Sequence, residues 1–143
     1  MEVTKSLLSK LYNDYNAKYF ENRLGKCNFS LFSKNTAYLG WYCAKTTKNG
    51  KTNDRIWIGT GVYWNEEILE RVLVHEMVHM YVYRIEGCKH DGLLGHGRRF
   101  KTQCRRIKTK YGIDVLNLPK VEFVNKKNSP RLWERFILWL IDR

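Results

Sequence analysis

His75-Glu76-Met77-Val78-His79 sets two imidazoles four residues apart, with a carboxylate next to the first. On a helix, positions i and i+4 share a face about one turn apart. Both imidazoles can therefore hold one metal ion while Glu76 stands beside the open coordination position. Zinc suits such a set best, because a catalytic zinc takes three protein ligands and a water in a tetrahedral shell. The chemistry that follows is hydrolysis. Zinc brings the pKa of its water down towards roughly 7 and polarises a peptide carbonyl, and Glu76 takes the proton of the attacking water and returns it to the departing amine.

A third protein ligand is then required. All four histidines of the chain, at 75, 79, 90 and 96, fall within 22 residues, so the candidates downstream of the motif are His96, His90, Cys88 and Asp91. His96 is favoured. It lies in Gly95-His96-Gly97-Arg98-Arg99-Phe100, at the start of a helix, where glycines on both sides let the backbone come close to the ion and Phe100 anchors the turn in the core. His90 is the next choice.

The elements that must position these residues can be read from hydrophobic periodicity. Leu7, Leu8, Leu11, Tyr12, Tyr15, Tyr19 and Phe20 recur at steps of three and four, which predicts an amphipathic helix from Thr4 that Gly25 ends. Asn28 to Ser33 alternates polar and apolar as a half-buried strand does, and Ala37 to Cys43 reads as a second strand. Asn49-Gly50 offers two positive-φ residues for a tight hairpin turn into Arg55 to Gly59. Asn65 caps a buried helix running from Ile68 to Tyr83, which carries the histidine pair and stops at Gly87. Another helix spans Arg98 to Tyr111, with Phe100, Cys104, Ile107 and Tyr111 on one stripe and cations elsewhere. Val121 to Val124 reads as extended, Lys126 to Asn128 as a loop, and Ser129-Pro130 opens a last helix bearing Leu132, Trp133, Phe136, Ile137 and Leu140. The fold class expected is α+β in a single domain over 1–143: a small antiparallel sheet packed with an N-terminal helix and a buried metal-binding helix.

Charge narrows the partners. The 26 Lys and Arg outnumber the 14 Asp and Glu, and the excess is uneven: residues 1–72 hold 11 basic and 7 acidic side chains, residues 73–143 hold 15 and 7. No acidic residue lies between Asp91 and Asp114, where seven Lys or Arg follow His96. Arg98, Arg99, Lys101, Arg105, Arg106 and Lys108 are thus candidate phosphate contacts for a nucleic acid. Trp41, Trp57 and Trp64 are either base-stacking platforms or core. No apolar run is long enough for a membrane span and no secretory leader opens the chain; Cys27, Cys43, Cys88 and Cys104 form no CxxC pair. The expectation is a cytoplasmic protein, with a nucleoid-associated or nuclear place as the alternative, that has a nucleic-acid partner and no membrane partner.

These motifs together resemble the SprT-like family of zinc metallopeptidases, to which the DNA-dependent protease Spartan belongs. The resemblance rests on the HExxH helix followed by His-Gly-x-x-Phe at 96–100, and on Tyr19-Phe20-Glu21-Asn22-Arg23-Leu24, Gly40-Trp41-Tyr42 and Ile56-Trp57-Ile58 in the family's order, over about residues 7 to 112. It implies a zincin-like fold, one zinc ion on His75, His79 and His96, and Glu76 as general acid/base. It further implies an endopeptidase acting on DNA-associated or DNA-crosslinked proteins. The chain departs from the pattern in its longer connection from His79 to His96, which keeps His90 in play. It also has no cysteine after Cys104, so no counterpart of the cysteine zinc ribbon of many relatives is expected in these residues. The rival function is a nucleic-acid-binding module whose zinc is structural, closed by a fourth protein ligand.

Overall fold

A computed structural model of the chain describes residues 1–33 and 38–124; the expected 126–128 loop and terminal helix lie outside them. The first helix, α1, is Lys5–Phe20, and the Thr4 hydroxyl accepts from the Leu7 amide at 3.1 Å to cap it. Leu8, Tyr12, Tyr15, Tyr19 and Phe20 form its buried face. It does not run to Gly25. Glu21 and Asn22 adopt left-handed conformations, the Asn22 amide donates to the Asn16 carbonyl at 2.9 Å, and the buried Asn16 amide side chain both donates to and accepts from the Leu24 backbone. Glu21 and Asn22 thus take the left-handed conformation that a glycine usually supplies, and the Asn16 side chain secures the segment that follows.

Strands β1 (Cys27–Phe32), β2 (Gly40–Cys43) and β3 (Asp54–Gly59) form a sheet in the order β1-β3-β2. β2 and β3 are the antiparallel hairpin expected, with Trp41 opposite Trp57. β1 runs parallel to β3, with Phe29 opposite Ile56, so the sheet is mixed and not antiparallel. The alternation in each segment marks it as a strand but does not name its partner. Here the chain reverses twice and leaves room for β3 in the middle, where Asp54, Ile56, Ile58 and Gly59 are all buried, as befits a central strand. β1 itself is not cleanly half-buried: Ser30 is buried next to Phe29, because the Arg55 guanidinium donates to its hydroxyl.

The hairpin turn also differs from expectation. Gly50 alone has positive φ, at 77°. The Gly50 amide donates to Thr47 O at 2.9 Å and the Thr47 amide to Lys51 O at 2.8 Å, a three-residue loop with glycine in the left-handed position.

Helix α2 is Glu66–Met80, capped by the Asn65 side chain accepting from the Ile68 amide, with Glu66 and Glu67 in its first turn. Leu69, Val72, Leu73, Val74, Met77, Val78 and Met80 bury it against α1, the sheet and helix α3, Arg98–Tyr111. The α-helix stops three residues before Tyr83. Tyr81–Ile85 widens into a π-turn that keeps Val82 buried while the Arg84 guanidinium forks onto Asp54 (2.7 and 2.9 Å), and Gly87 then ends the run with φ 69°. On α3 the stripe of Phe100, Cys104 and Ile107 is buried as expected. Of the segment 121–124, expected to be extended, Phe123 forms an isolated antiparallel bridge with Val62. The described residues contain no helix long and apolar enough to cross a membrane.

Candidate metal centre

α2 carries His75 and His79 on one face and Glu76 beside them; His75 is 3% and Glu76 5% exposed. The 3-10 turn Leu93–Gly95 then brings in His96 immediately before α3. One ring nitrogen from each of His75, His79 and His96 falls within 4.8 Å of the others, and His79 Nε2 lies 2.9 Å from His96 Nε2. Three imidazoles converging in this way are a donor set suited to one divalent transition metal.

Each ring is held from outside the group. His75 Nδ1 lies 2.6 Å from the Val115 carbonyl oxygen. A carbonyl only accepts, so Nδ1 carries the proton and Nε2 keeps its lone pair for the centre. Phe100, with no exposed surface, touches all three rings: its centroid is 4.2 Å from His79, 4.7 Å from His96 and 4.9 Å from His75. Burial, with repulsion from His96, pushes the His75 pKa down to about 3. Burial and the two neighbouring histidines likewise hold His79 well below its ordinary value. Both are neutral near pH 7, the form that binds metal.

The loop that delivers His96 depends on its glycines. A Cβ on Gly95, at φ 78°, would stand 3.1 Å from His79 Nδ1, and one on Gly97 would stand 2.6 Å from the Asp91 carbonyl carbon. Gly97 cannot cap α3 with a side chain, and Asp91 does so in its place, accepting from the Arg99 amide at 3.2 Å and the Phe100 amide at 2.7 Å. Asp91 is therefore a cap and outside the group. His90 is exposed and Cys88 half-buried, and neither joins it. Of the four candidates for a third ligand, the fold brings together only His96 with the pair.

The histidines and Glu76 line a cleft of about 530 Å3 whose walls include Trp41, Tyr42, Val82, Tyr83, Leu94 and Leu118. Gly40 allows β2 to approach: a Cβ there would lie 2.8 Å from Trp57 O and 3.6 Å from Glu76 Cγ.

The six cations proposed on α3 divide into groups. Arg106 is used within the fold, donating to Tyr19 O and to Gln103 Oε1 at 2.8 Å each. Arg99 pairs with Glu86 and Lys108 with Asp114. Arg98 and Arg105 are exposed and Lys101 half-exposed, with no ion pair among the described residues. Of the three tryptophans, Trp64 is core, its indole N–H donating to Gly59 O at 2.8 Å, whereas Trp41 and Trp57 stack on each other at 5.2 Å.

Sequence reasoning missed Val115 and Arg71. Nothing in a sequence marks a carbonyl, but Arg71, one turn before His75, is the one Lys or Arg within α2. Its guanidinium reaches the Asp114 and Asn117 carbonyls on either side of Val115.

No curated protein matches the chain. The family model of the SprT-like family matches residues 8–122, ending beyond the residue 112 read from the motifs and taking in Val115 and Leu118 at the site. The chain belongs to the SprT-like family.

Proposed function

We propose that this protein is a zinc-dependent endopeptidase of the SprT-like type, acting on DNA-associated or DNA-crosslinked proteins. The observation that carries the reading is the group of three imidazole nitrogens lying beside Glu76 in a cleft. His75, His79 and His96 would hold the zinc, which when bound supplies a Lewis acid and an acidified water. Glu76 accepts the proton of the attacking water and passes it to the departing amine nitrogen. β2 pairs only with β3 among the described residues, so its other edge offers backbone N–H and C=O groups next to the cleft. An extended peptide can add to such an edge. The apolar walls favour a substrate with a large apolar side chain near the scissile bond.

The DNA part of the reading rests on charge. The net formal charge is +12, and Arg98, Lys101 and Arg105 project from the helix that begins two residues after His96. A phosphate backbone on that face would run close to the centre. The rival reading, a structural zinc closed by four protein ligands, is less well supported: among the described residues none of Cys88, His90 and Asp91 belongs to the group.

Metal content of protein purified without added metal tests the proposal. About one zinc per chain is expected, lost in His96→Ala and kept in His90→Ala. Loss in both variants would favour the closed structural site, and absence of zinc from the parent would remove the peptidase reading.

A further inference from the structure

We infer that Arg71 is a positioning residue for the metal centre, acting through the 114–117 turn to fix the ring of His75. The inference rests on the reading of His75 as a metal ligand and adds a residue that no motif includes.

The geometry forms a chain of contacts. Arg71 sits one helical turn before His75 on α2, and its Nε donates to the Asp114 carbonyl at 2.7 Å while Nη2 donates to the Asn117 carbonyl. The Asp114 carboxylate closes the same turn from within, accepting from the Leu116 amide at 3.1 Å and the Asn117 amide at 3.0 Å, with Lys108 3.7 Å away. Between the two carbonyls held by Arg71 lies Val115. Its side chain is fully buried and its own carbonyl accepts from His75 Nδ1 at 2.6 Å.

α2 thus grips the turn at two points four residues apart, once by the guanidinium and once by the imidazole. Neither grip is generic. A guanidinium presents its donors in a rigid planar fork and can serve two carbonyls at once, which a lysine ammonium on a flexible stem does poorly. The Val115 carbonyl decides which His75 nitrogen carries the proton, and partners of this kind set the tautomer and orientation of a metal-binding imidazole. Removal of Arg71 would leave two carbonyls without their donor and free the turn to shift. His75 would then lose the acceptor that keeps Nε2 unprotonated.

Arg71→Met, Arg71→Lys and Asp114→Ala test this with two readouts. The first is zinc affinity by competition with a chromophoric chelator, at a temperature where far-UV circular dichroism shows each variant folded. The second is the His75 tautomer in the metal-free protein by 15N NMR. Arg71→Met and Asp114→Ala should each weaken zinc binding roughly 10-fold or more. Both should also shift metal-free His75 from the Nδ1–H form towards a mixture, with Arg71→Lys between them and the parent. A role in stability alone would lower the melting temperature and leave the tautomer and the affinity of the folded protein unchanged; that result would overturn the inference. If the parent bound no zinc, the metal centre itself would fail, while the tautomer of the metal-free variants would still decide whether Arg71 positions His75.

Discussion

Phe100 lies almost face to face with His79, ring centroids 4.2 Å apart and planes 22° from parallel. The same ring meets His75 at 70° and His96 at 41°, so one fully buried side chain from α3 supports all three imidazoles. Phe100→Ala should lose about 3–5 kcal/mol of stability, as truncation of a buried phenylalanine does. It should also weaken metal binding more than an equally destabilising truncation remote from the centre, such as Ile107→Ala. Urea denaturation and zinc titration of both variants check this; equal affinities in the two would show that Phe100 is only filling.

Gly95 and Gly87 separate crowding from backbone strain. Both have positive φ, at 78° and 69°, but a Cβ on Gly95 meets the His79 ring whereas one on Gly87 meets nothing within 4 Å. Gly95→Ala and Gly87→Ala should each destabilise by about 1 kcal/mol or more from the left-handed conformation. Only Gly95→Ala should also reduce zinc affinity, because His79 must move. A zinc titration of the two variants side by side checks the difference.

The metal-free protein should lose stability in mild acid. His75, lowered to about 3 chiefly by burial, and His79, lowered in the same direction, stay neutral when folded, whereas in the unfolded chain they take up protons near pH 6.5. The unfolded state therefore binds more protons below pH 6.5, and stability falls as pH drops from there towards 3. The limiting slope is about 1.4 kcal/mol per pH unit for each histidine. Chemical denaturation at pH 7.0, 6.0 and 5.0 measures it before the carboxylates titrate; a flat profile would contradict the burial of two neutral imidazoles.

The cations of α3 should separate by role. Replacing Arg98, Lys101 and Arg105 together by Gln should weaken DNA binding and flatten its salt dependence by about one logarithmic unit per lost phosphate contact, with stability unchanged. Arg106→Gln should lower stability instead, because it gives up the hydrogen bonds to Tyr19 O and Gln103. Fluorescence anisotropy over a salt series, with melting curves of the same samples, distinguishes them.

The parts of this fold that were legible in the sequence are those whose signal is local. The periodic apolar residues from Leu7 to Phe20 locate α1, Asn65 begins α2 as its cap, the stripe of Phe100, Cys104 and Ile107 locates α3, and the glycines around His96 mark the loop that closes on His79. The parts that were not legible depend on partners distant in the chain. The parallel pairing of β1 with β3 is a choice among strands of similar pattern, and the end of α1 is set by an asparagine gripping Leu24. The π-turn coincides with an ion pair between Arg84 and Asp54, thirty residues apart. At the centre itself the side chains announced themselves. The Val115 carbonyl that orients His75 could not, and Asp91, a chemically reasonable ligand, turned out to be committed to the amides of Arg99 and Phe100.

In the proposed reaction Glu76 moves the proton in a zinc-dependent cleavage of protein. Glu76→Gln keeps the size of the side chain and removes the base. The most direct measurement follows cleavage of an unfolded protein substrate by the parent and this variant, each with its zinc content determined and each with and without DNA. About one zinc per chain is expected in both, with cleavage by the parent that DNA accelerates and none by the variant. A zinc-loaded Glu76→Gln protein that cleaves as fast as the parent would contradict it.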